Sequence, residues 1–203
     1  MRVDHDRRRA ELAEAVWRLV LRAGVPAASV RAVANEAGLS MGSVRYFFNT
    51  QEELLQFAMG EVVNRARARV AAKADRRQAA VRAGRPLDGF AALLEEVLPL
   101  DDERRVEARI WAAFSAAAST DPGMHRLRRE ADDAVRGLCR TALQGMAELG
   151  LLEPDHDLAL ETQRLWALLD GLTVHLLVEP AYIGPRQARR VLRLHLSALG
   201  PSA

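Results

Sequence analysis

The chain has 203 residues, 49% of them hydrophobic, so it can bury a sizeable core and is not expected to be disordered. The formal net charge is +2, and the single cysteine, Cys139, excludes an internal disulfide. Because the sequence lacks a long apolar run, a signal-peptide pattern and any metal-spaced or catalytic cluster, we expect a cytoplasmic protein that is not an enzyme and holds no cofactor or metal.

Apolar residues recur at spacings of three and four, while alternating β-branched runs are missing, so the sequence predicts an all-α fold of about nine helices. The first helix is predicted from Arg7 to Ala23, and Ser29 can cap a short second one. Thr50 and Glu53 form a capping box at the start of a long helix predicted from Gln51 to about Ala80.

Gly84, Pro86 and Asp88 make the clearest break in the chain. Further helices are predicted at 88–98, 102–118, 121–149, 157–178 and 185–199, and Gly150 has the position of a helix C-cap. The last two helices are apolar on more than one face, so each needs cover on two sides.

The stretch from Val30 to Phe48 predicts a helix-turn-helix. Such a motif needs a small residue where its helices cross and a residue in the turn that tolerates a positive φ, and Ala34 and Gly38 supply these. Ser40 can cap the second helix, whose N–H groups then suit a phosphate. The apolar residues at the spacing of a shared core are Val33, Ala37, Leu39, Val44 and Phe47.

The free face of the second helix carries small polar groups, an arginine fork and aromatic rings, which can reach base edges and phosphates. The residues we expect to contact DNA are Arg31, Ser40, Met41, Gly42, Ser43, Arg45, Tyr46 and Phe47. Gly42 allows the backbone to approach the groove wall.

This region resembles the DNA-binding signature of the TetR family of one-component repressors. The residues that match are Ser29, Gly38, Ser40, Gly42, Val44, Tyr46, Phe48, Glu52, Glu53 and Leu54. The run Val44 to Phe47 is also similar to the branch around the choline-responsive betaine regulators. The resemblance implies a homodimer that places two recognition helices on a near-palindromic operator and is released by a small-molecule effector.

Two departures from the family pattern concern the DNA contacts. Many relatives carry tyrosine where Arg45 stands, and lysine where Gln51 stands at the start of the fourth helix. Gln51 can still donate a neutral hydrogen bond to a phosphate, but one charge-assisted contact is lost, and Arg45 is expected to compensate.

The resemblance also divides the chain by function. Residues 1–50 are expected to form the DNA-binding domain, residues 51–84 a connecting helix and residues 85–203 the regulatory domain. The expected ligand-pocket residues are Glu107, Trp111, Phe114, Met124, Cys139, Leu143, Trp166 and Asp170. Glu107 one turn before Trp111 suits a cationic or amphipathic ligand. The alternative is that the aromatic and apolar side chains are ordinary core and that the glutamate is solvated.

The second side of the last two helices is expected to be covered by an identical subunit, and a buried core helix in a monomer is the alternative. The expected interface residues are Leu165, Leu168, Leu172, His175, Leu176, Val191, Leu192, His195 and Leu199. A rival function is a helical small-molecule carrier or enzyme that keeps a structural helix-turn-helix. A further rival is an activator or a nucleoid-type binder without operator preference.

Overall fold

The computed structural model describes residues 2–119 and 122–201, and over these ranges it confirms the all-α fold. Two short 3-10 turns, Val25–Ala27 and Glu95–Val97, accompany ten α-helices in the described ranges. The helices are α1 (Arg2–Ala23), α2 (Val30–Glu36), α3 (Met41–Phe47), α4 (Gln51–Ala72), α5 (Ala74–Arg82), α6 (Pro86–Leu94), α7 (Asp102–Ala117), α8 (Pro122–Glu148), α9 (Leu158–Val178) and α10 (Pro185–Ala198).

The described part has ten helices where about nine were predicted, because the segment predicted as one helix from Gln51 to about Ala80 is interrupted. At the break the N–H of Lys73 donates to the carbonyl of Val70, three residues earlier, at 3.0 Å. The Lys73 ammonium also lies 3.2 Å from the buried carboxylate of Glu96, which stabilises this tighter turn.

Helix boundaries follow local signals elsewhere in the chain. Pro86 and Pro185 stand in the first turn of α6 and α10, where a missing N–H costs nothing. Asp157 caps α9 by accepting from the N–H groups of Ala159 and Leu160 at 2.9 and 3.2 Å. Gly150, with φ of 67°, follows the end of α8 as its C-cap signal predicts. The predicted start of that helix at Asp121 lies outside the described residues.

Contacts divide the chain into two compact units, and the first comprises Met1–Arg65 and Arg109–Ala131. Its core is one cluster of buried side chains drawn from the N-terminal helices and from residues of α7 and α8. Leu12, Val16, Val44, Leu54 and Ile110 are among its fully buried members. The helix-turn-helix therefore stands on a hydrophobic core of its own unit.

The second unit comprises Ala66–Ala108 and Asp132–Ala203. Its core cluster is dominated by leucines of α6, α8, α9 and α10, with Phe90 fully buried among them. The predicted boundaries at residues 50 and 84 refer to functional parts and not to these packing units, so they stay a prediction.

Three carboxylates are buried in this unit, and two of them share a cluster of cations. Glu107 accepts two hydrogen bonds from the guanidinium of Arg69, at 2.9 and 2.6 Å. Glu96 lies within 3.5 Å of Arg69, 3.2 Å of Lys73 and 3.3 Å of Arg104. Hydrogen bonding to Glu107 raises the pKa of Arg69 above its ordinary value, so this guanidinium stays charged.

No helix in the ranges 2–119 and 122–201 combines the length and the apolarity that crossing a bilayer requires.

Candidate nucleic-acid interface

The turn between α2 and α3 has the geometry that the sequence predicts. Gly38 has a φ of 66°, in the left-handed region that favours glycine. The N–H of Leu39 donates to the carbonyl of Ala34 at 2.9 Å, and that of Gly38 donates to Asn35 at 3.2 Å. This pair of bonds is a Schellman motif, which ends α2 and redirects the chain into α3.

Ser40 caps α3. Its Oγ accepts from the N–H of Ser43 at 3.0 Å and lies 2.9 Å from the Ser43 hydroxyl. The cap fixes the start of a helix of only two turns, which is marginal on its own. Val44, fully buried in the first unit's core, holds the same helix from its inner face.

The outer face of α3 is exposed. Met41 and Tyr46 are 47% and 77% exposed, and Gly42 and Arg45 are exposed as well. Arg31, at the start of α2, is also exposed, whereas Ser43 and Phe47 are half-buried. Most of the predicted contact residues are therefore accessible, while Phe47 packs partly against the core.

Packing inside the protein does not require a glycine at position 42. A Cβ added there would meet only the Ser40 hydroxyl, at an ordinary 3.7 Å. Because glycine is unfavourable inside a helix, its presence on this exposed face fits a close approach by another molecule.

The start of α4 differs in one detail from the predicted capping box. Thr50 Oγ1 accepts from the Glu53 N–H at 3.0 Å, but the Glu53 carboxylate accepts from the N–H of Asn49 at 2.8 Å and not from that of Thr50. Gln51 is half-buried beside Glu52, which pairs with Arg126 at 3.0 Å. Glu52 and Glu53 in the first turn repel a phosphate. This helix start is therefore less favourable for a phosphate than one with lysine at position 51 would be.

Sequence reasoning missed His5 as a member of this surface. Its ring lies 4.7 Å from the ring of Phe47 and 6.3 Å from that of Tyr46, measured between centroids. His5 lies in the first turn of α1, which begins at Arg2 where the pattern predicts Arg7. No local signal links position 5 to position 47.

Ion pairs brace α2 against α1. Glu36 accepts from Arg18 and from Arg22, each at 2.8 Å. The hydrogen bonds from Arg22 and then Arg18 lower the pKa of Glu36 below its ordinary value, so the brace keeps its charge under mildly acidic conditions. In the same unit, Trp17 Nε1 donates to the carbonyl of Ala58 at 2.9 Å and fixes α4 on α1.

Three of the predicted pocket residues belong to the first unit. Phe114 and Met124 are buried in its core, and Trp111 is half-buried against that core. The guanidinium carbon of Arg128 lies 4.9 Å from the centre of the Trp111 ring. The structure thus gives these residues packing roles, and their contact with a ligand stays a prediction.

The other five predicted pocket residues belong to the second unit. Glu107 is paired with Arg69, and Cys139 and Leu143 are fully buried. Burial raises the pKa of the Cys139 thiol to about 12, so it is a neutral apolar group. Trp166 is half-buried beneath Arg136, at 5.5 Å, and Asp170 is half-buried one turn later.

Most of the residues predicted at a dimer interface face the core of their own chain. Those that are buried within the second unit are Leu165, Leu172, Leu176, Leu192 and Leu199. Leu168, Val191 and His195 are half-buried, and His175 is exposed. The same two helices expose other apolar side chains, namely Leu160, Val174, Val178 and Leu194.

Among the residues that the structure describes, no three histidine, cysteine, aspartate or glutamate side chains are arranged to hold a metal ion.

Comparison with known proteins gives a family. Residues 86–201 match the family described as BetI-type transcriptional repressor, C-terminal. The HTH-type transcriptional regulator PksA of Bacillus subtilis (strain 168) is 34% identical over 197 residues, which is 97% of this chain and 92% of that protein.

Solved structures of bacterial regulators share the fold. A transcriptional regulator from Rhodococcus sp. Rha1 superposes with a TM-score of 0.76 at 29% identity, covering 94% of this chain and 95% of that one. A regulator from Saccharomonospora viridis in complex with choline gives 0.66 at 24% identity, covering 91% and 92%. The chain belongs to the TetR family of transcriptional regulators and carries a C-terminal domain of the BetI type.

Proposed function

We propose that this regulator is a homodimeric repressor whose two α3 helices enter successive major grooves of a near-palindromic operator, and that a small-molecule effector releases it. The observation that carries the proposal is the exposed outer face of α3, held by the Ser40 cap and by buried Val44. A repressor must reach its operator, and bacterial DNA lies in the cytoplasm, so the proposal implies a cytoplasmic location.

Each side chain on this face has a role in DNA binding. Arg45, exposed and in the last turn of α3, can give two parallel hydrogen bonds to a guanine. The hydroxyls of Ser40 and Tyr46 suit phosphates and base edges, and Gly42 permits a close backbone approach. Arg31 at the start of α2 and Gln51 at the start of α4 are placed for phosphates on either side.

The partner of the exposed apolar face of α9 and α10 is a second copy of this chain. Val174 and Val178, four residues apart on α9, are 49% and 70% exposed, and Leu194 on α10 is 59% exposed. Exposed apolar side chains on two consecutive helices fit a four-helix interface about a twofold axis. A twofold axis also explains why an operator should be palindromic, with half-sites about 34–36 Å apart.

The effector is proposed to bind in the BetI-type region, near the second-unit residues Cys139, Leu143, Trp166 and Asp170. The Saccharomonospora relative was solved with choline, which shows that a protein of this fold binds a small molecule. An effector acts through its different affinity for the two states, a coupling of about 1–3 kcal/mol. The helix α4 is the element on which it would act, because α4 begins at Gln51, soon after α3 in the chain, and carries in its last turn Arg69, which binds Glu107.

Two measurements test this function. Sheared genomic DNA is selected on the purified protein, and the expected result is enrichment of one near-palindromic sequence whose half-site centres lie about 10 base pairs apart. Sedimentation velocity is expected to give a dimer for the wild type and a monomer for Val174→Glu. The control is Val106→Glu, which changes an exposed valine of α7 and leaves the dimer intact. Enrichment without sequence preference, or a monomeric wild type, would contradict the proposal.

A further inference from the structure

Among the buried hydrogen-bond donors of the second unit that lack acceptors, two belong to neighbouring side chains, Trp166 and Arg136. From them we infer that the effector site recognises a carbonyl or carboxylate head on an apolar body and discriminates against quaternary ammonium groups. The inference rests on the proposed effector site and specifies its ligand class.

The two donors are Trp166 Nε1 and Arg136 Nε. Each is shielded from solvent and makes no hydrogen bond with any described residue. The guanidinium carbon of Arg136 lies 5.5 Å from the centre of the Trp166 ring, so the two donors belong to side chains that are neighbours. Neither nitrogen can accept a hydrogen bond, so the group that satisfies them must be an acceptor. A buried donor without an acceptor is costly, which makes this pair a favourable place for one.

A quaternary ammonium ligand requires an uncovered aromatic face or an unpaired acid. One face of Trp166 is covered by the guanidinium of Arg136, and the ring packs against the buried core of the second unit. The buried acid Glu107 is already bound by both terminal nitrogens of Arg69. In this unit, both Glu107 and Trp166 are therefore already occupied by a cation of the chain itself.

In the first unit, an arginine also covers the ring of Trp111. Arg128 stands 4.9 Å from the centre of that ring, so a ligand cation there would meet a guanidinium of like charge. The pattern thus holds at both tryptophans that were predicted to line a pocket.

The surroundings of the two donors define the rest of the ligand. Cys139, one turn after Arg136, is a buried neutral thiol, and Leu143 continues the apolar strip along α8. Two acids bound the site: Asp133 lies 3.3 Å from Arg136, and Asp170 follows Trp166 by one turn of α9. One cation with two flanking acids suits a single small acceptor head better than a multiply charged anion.

Isothermal titration calorimetry of the full chain without DNA tests the inference with three probes that share one alkyl chain. The probes are octanoate, octanamide and octyltrimethylammonium, so only the head differs. We expect octanoate or octanamide to bind at least about tenfold more tightly than octyltrimethylammonium, and the better of the two identifies the charge of the head. Equal or tighter binding of the ammonium compound, or no binding of any probe, would overturn the inference.

Two variants assign the preference to these residues. Trp166→Phe keeps a ring but loses the donor, and should weaken the preferred acceptor about five- to tenfold. Arg136→Met uncovers the ring and removes the second donor, so it should reduce or reverse the preference over octyltrimethylammonium. The matched control is Arg65→Met, which uncovers Trp17 in the first unit, where Arg65 lies 4.4 Å from the ring.

The control must leave both affinities unchanged, and thermal melts establish that every variant is folded. An unchanged preference in folded Arg136→Met would contradict the inference. Because DNA is absent from these titrations, their failure leaves the operator-binding proposal standing, and failure of operator binding leaves the ligand preference measurable.

Discussion

Arg45 gives the sharpest test of how this protein reads DNA. Its side chain is exposed and makes no hydrogen bond or ion pair with any described residue, so Arg45→Ala should change the free energy of unfolding by less than about 0.5 kcal/mol. If each copy forms a bidentate contact with guanine, each loses about 1–3 kcal/mol of binding. A dimer carries two copies, so the free energy of operator binding should weaken by about 2–6 kcal/mol, which is roughly a 30-fold to 20,000-fold loss of affinity.

Fluorescence anisotropy with the selected operator, repeated over a series of salt concentrations, measures this loss. If Arg45 contacts bases, the dependence of log Kd on log salt keeps its slope, whereas loss of one phosphate contact in each half-site lowers it by about 1.8. Arg140→Ala, which removes an exposed arginine of α8, is the control and should bind normally. Wild-type affinity in Arg45→Ala, or an equal loss on scrambled DNA, refutes the assigned role.

Three further sets of substitutions test the ionic cluster of the second unit, the ion pairs that hold α2, and the turn that precedes α3. Glu107→Leu leaves the Arg69 guanidinium with only the weaker contact to Glu96, so urea unfolding should show a loss of about 3 kcal/mol, and the double variant with Arg69→Met should recover much of it. The lowered pKa of Glu36 means that its contribution to stability is complete above its ordinary pKa of 4.5 and is lost as pH falls through the lower folded value. Urea unfolding at a series of acidic pH values should show a steeper loss of stability in the wild type than in Glu36→Gln. Gly38→Ala places a Cβ at φ of 66° and should cost about 1–2 kcal/mol, while Gly137→Ala, with open space around it on α8, should stabilise the protein by about 0.5–1 kcal/mol in thermal melts.

Local signals were sufficient to predict the helix-turn-helix. Glycine at position 38 is required by a positive φ, and serine at position 40 by the need to cap a short helix. Both requirements act within four residues, so they can be inferred without knowledge of the tertiary structure. The same holds for the Asp157 cap and for the prolines that open α6 and α10.

Contacts between distant parts of the chain could not be inferred in this way. His5 contacts the rings of Tyr46 and Phe47, more than forty positions away in the chain. At the helix break, Lys73 pairs with the carboxylate of Glu96, which lies in a later turn. Helix α9 is apolar nearly all round, so its periodicity does not distinguish inward Leu165 from outward Val174. Likewise, no local pattern in the sequence links Arg128 to Trp111 or Arg136 to Trp166. The sequence therefore gave no sign that these rings are covered, and a cationic ligand was expected.

The most direct test of the regulator function compares two affinities of the purified protein, one for DNA upstream of its own gene and one for a scrambled duplex of equal composition, at low and moderate salt. We expect a complex of two subunits per duplex, at least about a thousandfold preference for the upstream DNA, and binding to each duplex that weakens steeply as salt rises. Equal affinities for the two duplexes, or binding by single subunits, would contradict the claim that the outer face of α3 reads an operator in duplicate.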